Sequence, residues 1–238
     1  MIEAVFFDLY GTLAGFNPSR FEIQSAACGE HGLRVTPEGI LRGYALADAY
    51  MAEQNAIKPL RDRGRDDRNG FFAEYERLVL SGDGLEIGPE KALEIWLRIR
   101  RMPYELRRFD DVGPALTALR SRGLTLGMIS NMNRRGDELM DELGLSEYLD
   151  FAVTSLEVGA EKPHSPIFLA ALEKASAEPG NAVHVGDQLT SDIEGARAVG
   201  IWPVLLDRDG NHKGIEGCPR IEGLSELVEV VAAMGQDN

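Results

Sequence analysis

Residues 4–13, Ala4-Val5-Phe6-Phe7-Asp8-Leu9-Tyr10-Gly11-Thr12-Leu13, decide the fold. The short, continuous apolar run Ala4–Phe7 has the pattern of a strand buried on both faces of a parallel sheet. It stops at a carboxylate. An acidic residue directly after such a strand lies at its carboxyl end, where open α/β sheets place their ligands.

Outward from that stretch, the strand signal disappears between about Asn17 and Phe109 and helical patterns take over. Thr36-Pro37-Glu38 reads as an N-cap with proline at the first helical position, opening a helix that runs toward Ala56. Phe71 to Leu80 and Glu90 to Arg101 carry apolar residues at helical spacing, with Gly82-Asp83-Gly84 and Gly88-Pro89 as punctuation. After Asp111 strand and helix patterns alternate. Strands are expected at Leu124–Ile129, Phe151–Thr154, Ala182–Val185 and Pro203–Leu206. Helices are expected at Val112–Arg122, Arg134–Leu143, Pro166–Ala177, Ser191–Val199 and Leu224–Met234. Such alternation predicts right-handed βαβ units and a doubly wound, mostly parallel α/β sheet with helices on both faces. The core is expected over 1–15 and 109–238, interrupted by an inserted all-helical domain over 16–108.

Composition bounds the function. The chain has 238 residues, 44% of them apolar and 27% charged, a globular profile with length for one large domain or a domain with a smaller insert. A formal charge of −14 argues against a broad nucleic-acid footprint, which needs clustered Lys and Arg. No apolar run reaches the roughly 20 residues of a membrane helix, and no basic-then-apolar leader opens the sequence. Cys28 and Cys218 stand far apart without a CxxC, which speaks against a disulfide framework or a cysteine zinc site. The expected setting is a reducing cytoplasm, and the expected partner is a small-molecule substrate rather than nucleic acid or membrane. There is no GxGxxG and no Walker glycine-lysine loop, so dinucleotide or P-loop chemistry has no support.

Four core segments end in polar residues where a strand should stop. The first delivers Asp8 and Thr12; the second, Leu126-Gly127-Met128-Ile129-Ser130-Asn131, delivers Ser130. Lys162 lies in Gly159-Ala160-Glu161-Lys162-Pro163, at the head of a helix after the third strand. The fourth, Val183-His184-Val185-Gly186-Asp187, delivers Asp187, and Asp192 follows five residues on. Parallel strands bring these ends to one edge, so a carboxylate, a hydroxyl, an ammonium and an acidic pair converge.

This set resembles the four motifs of the haloacid dehalogenase-like hydrolase superfamily, which occur in the same chain order, and the helical insert is similar to that family's cap. The resemblance implies Asp8 as nucleophile, forming a covalent aspartyl intermediate that water hydrolyses. It implies Ser130, Asn131 and Lys162 as substrate-binding groups, with Lys162 also balancing charge in the reaction. It implies Mg²⁺ held by Asp8, Asp187 and the carbonyl of Tyr10, with Asp192 as a further ligand or as support. Thr12 is expected to tie down the loop after the first strand.

One departure from the resemblance bears on the chemistry. Two residues after the nucleophile the family's phosphatases carry a second Asp, the general acid, whereas this chain carries Tyr10. A phenol, with a reference pKa of about 10, matches neutral-pH acid catalysis less well than a tuned carboxyl group. Asp-x-Tyr-Gly-Thr is similar to the first motif of the family's 2-haloacid dehalogenases, where halide leaves without needing a proton. Against that reading, the dehalogenases are metal-free and lack the first acid of the fourth motif, while this chain keeps Asp187 and Asp192. Phe168 also stands where the dehalogenases carry a Tyr. The expectation is therefore a Mg²⁺-dependent phosphatase acting on a small phosphomonoester, with haloacid dehalogenation as the alternative and a catalytically reduced binding or scaffold protein as a further one.

Each residue also has a plainer explanation. Asp8 could be a turn carboxylate, Ser130 a helix cap, Asn131 a cap or a substrate contact, and Lys162 a solvated loop residue. Asp187 and Asp192 could be a turn residue and a helix-start charge, and Tyr10 a packing residue. Arg61, Arg63, Arg65 and Arg68 interleave with Asp62, Asp66 and Asp67 and are expected to be a solvated loop. His184 is expected to be a satisfied core histidine, and His164 fits either the site or a loop.

Overall fold

The computed structural model describes residues 1–210 and 212–234. The chain divides into two compact units, Met1–Gly15 with Leu106–Asn238, and Phe16–Glu105.

The first unit is built on a six-stranded sheet in the order β5-β4-β1-β6-β7-β8, with every neighbouring pair parallel. Its strands are β1 (Ala4–Phe7), β4 (Thr125–Ser130), β5 (Phe151–Thr154), β6 (Ala182–Gly186), β7 (Trp202–Leu206) and the two-residue β8 (Arg220–Ile221). Two strands outside this sheet, β2 (Ala14–Asn17) and β3 (Glu105–Arg108), pair with each other. Helices α5 (Val112–Arg120), α6 (Gly136–Glu142), α7 (Ser155–Val158), α8 (Ser165–Ala175), α9 (Gly195–Ala198) and α10 (Leu227–Met234) complete the unit.

Strand β1 explains why both faces are covered. Val5 and Phe7 point into a core shared with Val112, Leu116 and Leu119 of α5 and with Leu227 and Val231 of α10. Ala4 and Phe6 point the other way, into a core with Ile167, Phe168 and Ala171 of α8 and Ala196 of α9. All four β1 residues are fully buried, so the apolar run is what two covered faces require. The chain runs from β1 to β4 and β5 on one side, then crosses to β6 on the other. The strand order therefore reverses beside β1, and the crevice at its carboxyl end is the topological switch point where ligands bind in such sheets.

The second unit contains α1 (Arg20–Glu30), α2 (Pro37–Ile57), α3 (Arg65–Ser81) and α4 (Pro89–Ile99) around its own core, which includes Ile40, Ala47, Val79, Leu80 and Ile95. Thr36 caps α2 as expected, its side chain accepting from the Gly39 N–H at 3.1 Å. Helices α2 and α3 approach so closely that a Cβ on Gly43 would fall into the Val79 backbone.

Three sequence expectations need correction. The segment 17–109 is not free of strands, because β3 lies within it. Glu105-Leu106-Arg107-Arg108 alternates between exposed and half-buried, so it carries no apolar run to announce a strand. The expected helix 191–199 begins instead with a π-helical stretch, Leu189–Glu194, before α9. Finally, Arg63 is not solvated. Its guanidinium donates to the carbonyls of Gln54 (3.0 Å) and Lys58 (3.1 Å) at the end of α2, pairs with Asp67 and lies over the Phe71 ring. It satisfies carbonyls that a helix end leaves without partners.

Candidate active site

Asp8 follows β1 directly and its N–H donates to Val185 O (2.9 Å), continuing the parallel pairing with β6. The loop beyond it folds back tightly: Leu13 and Ala14 both donate to Leu9 O, and Gly11 donates to Ala14 O. Gly11 has φ +87°, a left-handed conformation open to glycine at little cost. A Cβ there would also fall into the Asp187 carboxylate, so the glycine lets the fourth motif's acid come close. Tyr10, half-buried, forms an isolated bridge with Ala14 at the neck of this loop.

The expectation for Thr12 is only partly met. Its hydroxyl is buried and has no hydrogen-bond partner among the described residues, so it does not tie the loop. The tie runs through its carbonyl, which accepts from Arg208 (2.9 Å). Arg208 also forms a two-pronged pair with Asp111, both distances 2.9 Å, and lies over the Phe109 ring.

Lys162 is buried and its ammonium donates to Asp8 Oδ1 and to Asp192 Oδ1, both at 2.6 Å. Burial works against its charge, but Asp192 and Asp8 more than offset this and raise its pKa. Its backbone is clamped by Asn131: the Lys162 N–H donates to Asn131 Oδ1 (2.7 Å), and Asn131 Nδ2 donates to Lys162 O (3.0 Å). Both ends of the Asn131 amide thus hold the lysine in place. Ser130 is buried at the end of β4, opposite Thr154 of β5. His164 is exposed at the start of α8, in the loop position.

Asp192 is pinned at both oxygens. Oδ1 lies 2.9 Å from His184 Nε2 as well as accepting from Lys162, and Oδ2 accepts from the Gln188 N–H (3.0 Å). The π-helical turn aims it there: Gln188 O accepts from both Asp192 N and Ile193 N, which inserts one extra residue into the turn. Burial alone would raise the Asp192 pKa; the Lys162 charge and the His184 bond outweigh it and hold the carboxyl well below its usual range. Asp8 behaves oppositely. Burial pushes it up to about 6, opposed by Lys162 and reinforced by the Asp192 charge.

Asp8, Asp187 and Asp192 each offer a carboxylate oxygen within 4.8 Å of the others. Asp8 Oδ2 is buried and has no hydrogen-bond partner among the described residues. Three carboxylates gather around the Lys162 ammonium, and every atom they offer to an ion is oxygen. These residues fit a hard divalent cation.

His184 is a core histidine as expected, but one that is only half satisfied. It sits fully buried within β6, lowered in pKa first by that burial, and only one of its ring nitrogens has a partner among the described residues. A lone polar residue inside Ala182-Val183-His184-Val185, three positions before the acid, was the available signal.

A family model for haloacid dehalogenase-like hydrolases matches residues 2–200. The chain belongs to this family. It is 31% identical over 209 residues to the human haloacid dehalogenase-like hydrolase domain-containing protein 3, covering 86% of this chain and 82% of that one. The mouse protein of the same name matches over 104 residues, 44% of this chain and 41% of its own length. A glyceraldehyde 3-phosphate phosphatase from Methanopyrus kandleri is 34% identical over 249 aligned positions that span both chains completely. Among solved structures, a HAD phosphatase from Thermococcus onnurineus superposes with a TM-score of 0.58 at 25% identity, covering 97% of this chain and 98% of that one. A 2-haloacid dehalogenase from Pseudomonas syringae pv. Tomato DC3000 gives 0.58 at 26% identity, covering 98% and 99%. The haloacid dehalogenase-like assignment accounts for the sheet order and for the convergence of the four motif ends on one edge. No helix among the described residues is long and apolar enough to cross a membrane.

Proposed function

We propose that this hydrolase is a Mg²⁺-dependent phosphatase that cleaves a small phosphomonoester through an aspartyl-phosphate on Asp8. The observation that carries the reading is the cluster of Asp8, Asp187 and Asp192 around one Lys162 ammonium. A full-length relative named as a phosphatase supports it over dehalogenation, and so does Asp187, whose negative charge suits a bound cation better than a metal-free carboxylate substrate.

Asp8 and Asp187 would hold the ion, with the Tyr10 carbonyl as a third protein ligand, because Asp192 already spends both oxygens on Lys162, His184 and Gln188. When bound, the ion would offset phosphate charge near the acidic cluster. The Asp8 carboxylate attacks phosphorus as the bond to the leaving oxygen breaks. That oxygen takes a proton from water or from the Tyr10 hydroxyl, and water then hydrolyses the aspartyl-phosphate and regenerates Asp8. Lys162 stays charged and steadies the oxygens on which negative charge develops, and Ser130 contributes its hydroxyl beside it. Asn131 keeps the Lys162 backbone where this geometry needs it. We assign the helical unit the role of selecting the substrate, and the reducing cytoplasm as the setting in which Cys28 and Cys218 stay free thiols.

The test is phosphate release from p-nitrophenyl phosphate, with and without Mg²⁺, beside halide release from 2-chloropropionate, using Asp8→Asn as control. The proposal expects Mg²⁺-dependent phosphate release that vanishes in Asp8→Asn. Metal-independent halide release would replace it with dehalogenation, and no turnover of either compound together with no Mg²⁺ binding would favour a binding role.

A further inference from the structure

His184 interrupts an otherwise apolar buried strand. Its Nε2 is 2.9 Å from Asp192 Oδ1, its Nδ1 is buried with no hydrogen-bond partner among the described residues, and its ring stands edge-on to Phe168 at 5.3 Å. A ring nitrogen buried without a partner is a net cost to folding, and a leucine or valine would fill this space between Val183 and Val185 without it. Among the described residues the ring's one polar contact is with Asp192, so its reason for being there lies with Asp192.

Asp192 Oδ1 takes two donors, and the second is Lys162, whose ammonium also lies 2.6 Å from Asp8. Taking the His184 donor away leaves Oδ1 held by Lys162 alone. The carboxylate can then turn about its remaining Gln188 contact and carry the ammonium with it.

We infer that His184 is a positioning residue of this site: its Nε2–H fixes Asp192, and through Asp192 it sets where the Lys162 ammonium stands relative to Asp8. The ring acts at one remove from the reacting atoms, touching neither Asp8 nor Lys162 by hydrogen bond. Its donor is the same whether the ring is neutral or charged, so the role does not depend on titration. The inference rests on the hydrolytic reading of the site given above.

The experiment compares His184→Leu, which keeps the volume and removes the donor, with His184→Gln, whose side-chain amide can place an N–H near the same point. Initial rates with p-nitrophenyl phosphate and Mg²⁺, thermal unfolding midpoints, and the imidazole ¹⁵N spectrum of the wild type are read together. By analogy with outer hydrogen bonds at metal sites, loss of this bond to the carboxylate that holds Lys162 is expected to lower activity by about 10- to 100-fold, in kcat with KM little changed. His184→Leu should show that loss while melting no lower than the wild type, and His184→Gln should recover most of it. The ¹⁵N spectrum should place the proton on Nε2.

A His184→Leu protein as fast as the wild type would overturn the inference. So would one that fails to fold or melts well below it, or a His184→Gln protein as slow as His184→Leu, because each makes the residue a packing group. If the wild type releases no phosphate, the phosphatase reading fails separately, and the ring's tautomer still decides the geometric claim: a proton on Nδ1 would refute it.

Discussion

Glu76 offers a test of the helical unit that is independent of the active site. It is buried in α3, and its carboxylate accepts from the Gln24 amide of α1, which also contacts Tyr44 OH (3.2 Å) and Cys28 Sγ (3.5 Å). Burial pushes its carboxyl up from 4.5 to about 8, and the Gln24 bond offsets that only in part. Between those two values the folded protein keeps a proton that the unfolded chain has lost. The stabilising effect of that proton is complete below pH 4.5 and is lost as pH rises toward 8. At about 1.4 kcal/mol per pH unit, the helical unit should lose roughly 4 kcal/mol of stability from this one group between pH 5 and pH 8.

Glu76→Gln keeps an oxygen for Gln24 and has no charge to desolvate, so the slope should disappear. The variant should match the wild type near pH 5 and exceed it by several kcal/mol, on the order of 3–4, at pH 8. Trp96 of α4, stacked on Phe72 at 3.9 Å, reports on this unit, and a Trp202→Phe background removes the tryptophan of the other unit. Urea unfolding followed by Trp96 fluorescence at pH 5, 6.5 and 8 gives the comparison. If the two proteins keep a constant difference across that range, or if Glu76→Gln is the weaker at pH 8, the reasoning from burial is wrong.

Two further outcomes follow from the loop after β1. Gly11→Ala places a Cβ into the Asp187 carboxylate at φ +87°, so under the proposed Mg²⁺-dependent reaction the Mg²⁺ concentration for half-maximal activity should rise at least about tenfold, alongside a stability loss of roughly 1–3 kcal/mol; metal titration and thermal melts check both. Arg208→Leu leaves the Asp111 carboxylate, which also accepts from the Leu224 N–H, without its cation, and leaves the Thr12 carbonyl without a donor. A destabilisation of about 1–3 kcal/mol by urea unfolding is expected, and an unchanged midpoint would show that this cluster contributes little.

The readable part of the molecule is the part that burial dictates. Ala4–Phe7, Phe151–Thr154 and Ala182–Gly186 announce themselves because strands covered on both faces must be apolar, and the polar residues that end them must lie on one edge. Asp8, Lys162, Asp187 and Asp192 were legible for that reason, although Lys162 and Asp8 lie 154 positions apart. What escaped depends on backbone detail. The π-helical turn that aims Asp192 looks like ordinary helix in sequence, since nothing in Leu189–Glu194 marks one extra residue per turn. Strand β3 has the charge pattern of a loop. Arg63 reads as one of several arginines, and only the position of the α2 end singles it out. Thr12 is placed correctly, but which of its atoms holds the loop was settled by Arg208, 196 positions away.

The site's electrostatics turn on the sharing of one ammonium between two carboxylates. Asp8 and Asp192 would repel each other, and Lys162 sits 2.6 Å from both. The environments then separate them. Asp192 has Lys162, His184 and the Gln188 N–H as donors and is driven toward permanent charge, while Asp8 has Lys162 and the Leu9 backbone and is raised toward neutrality. Two acids pushed apart in this way take different roles. The heavily donated one accepts three hydrogen bonds, which makes it the poorer nucleophile, and it serves as the fixed anion that keeps Lys162 in place. The sparsely donated one keeps a buried oxygen, Oδ2, with no hydrogen bond among the described residues. That uncommitted oxygen is what the proposed nucleophilic role of Asp8 draws on, and Asp192 supports it by sharing the Lys162 ammonium, which would otherwise be neutralised by Asp8 alone.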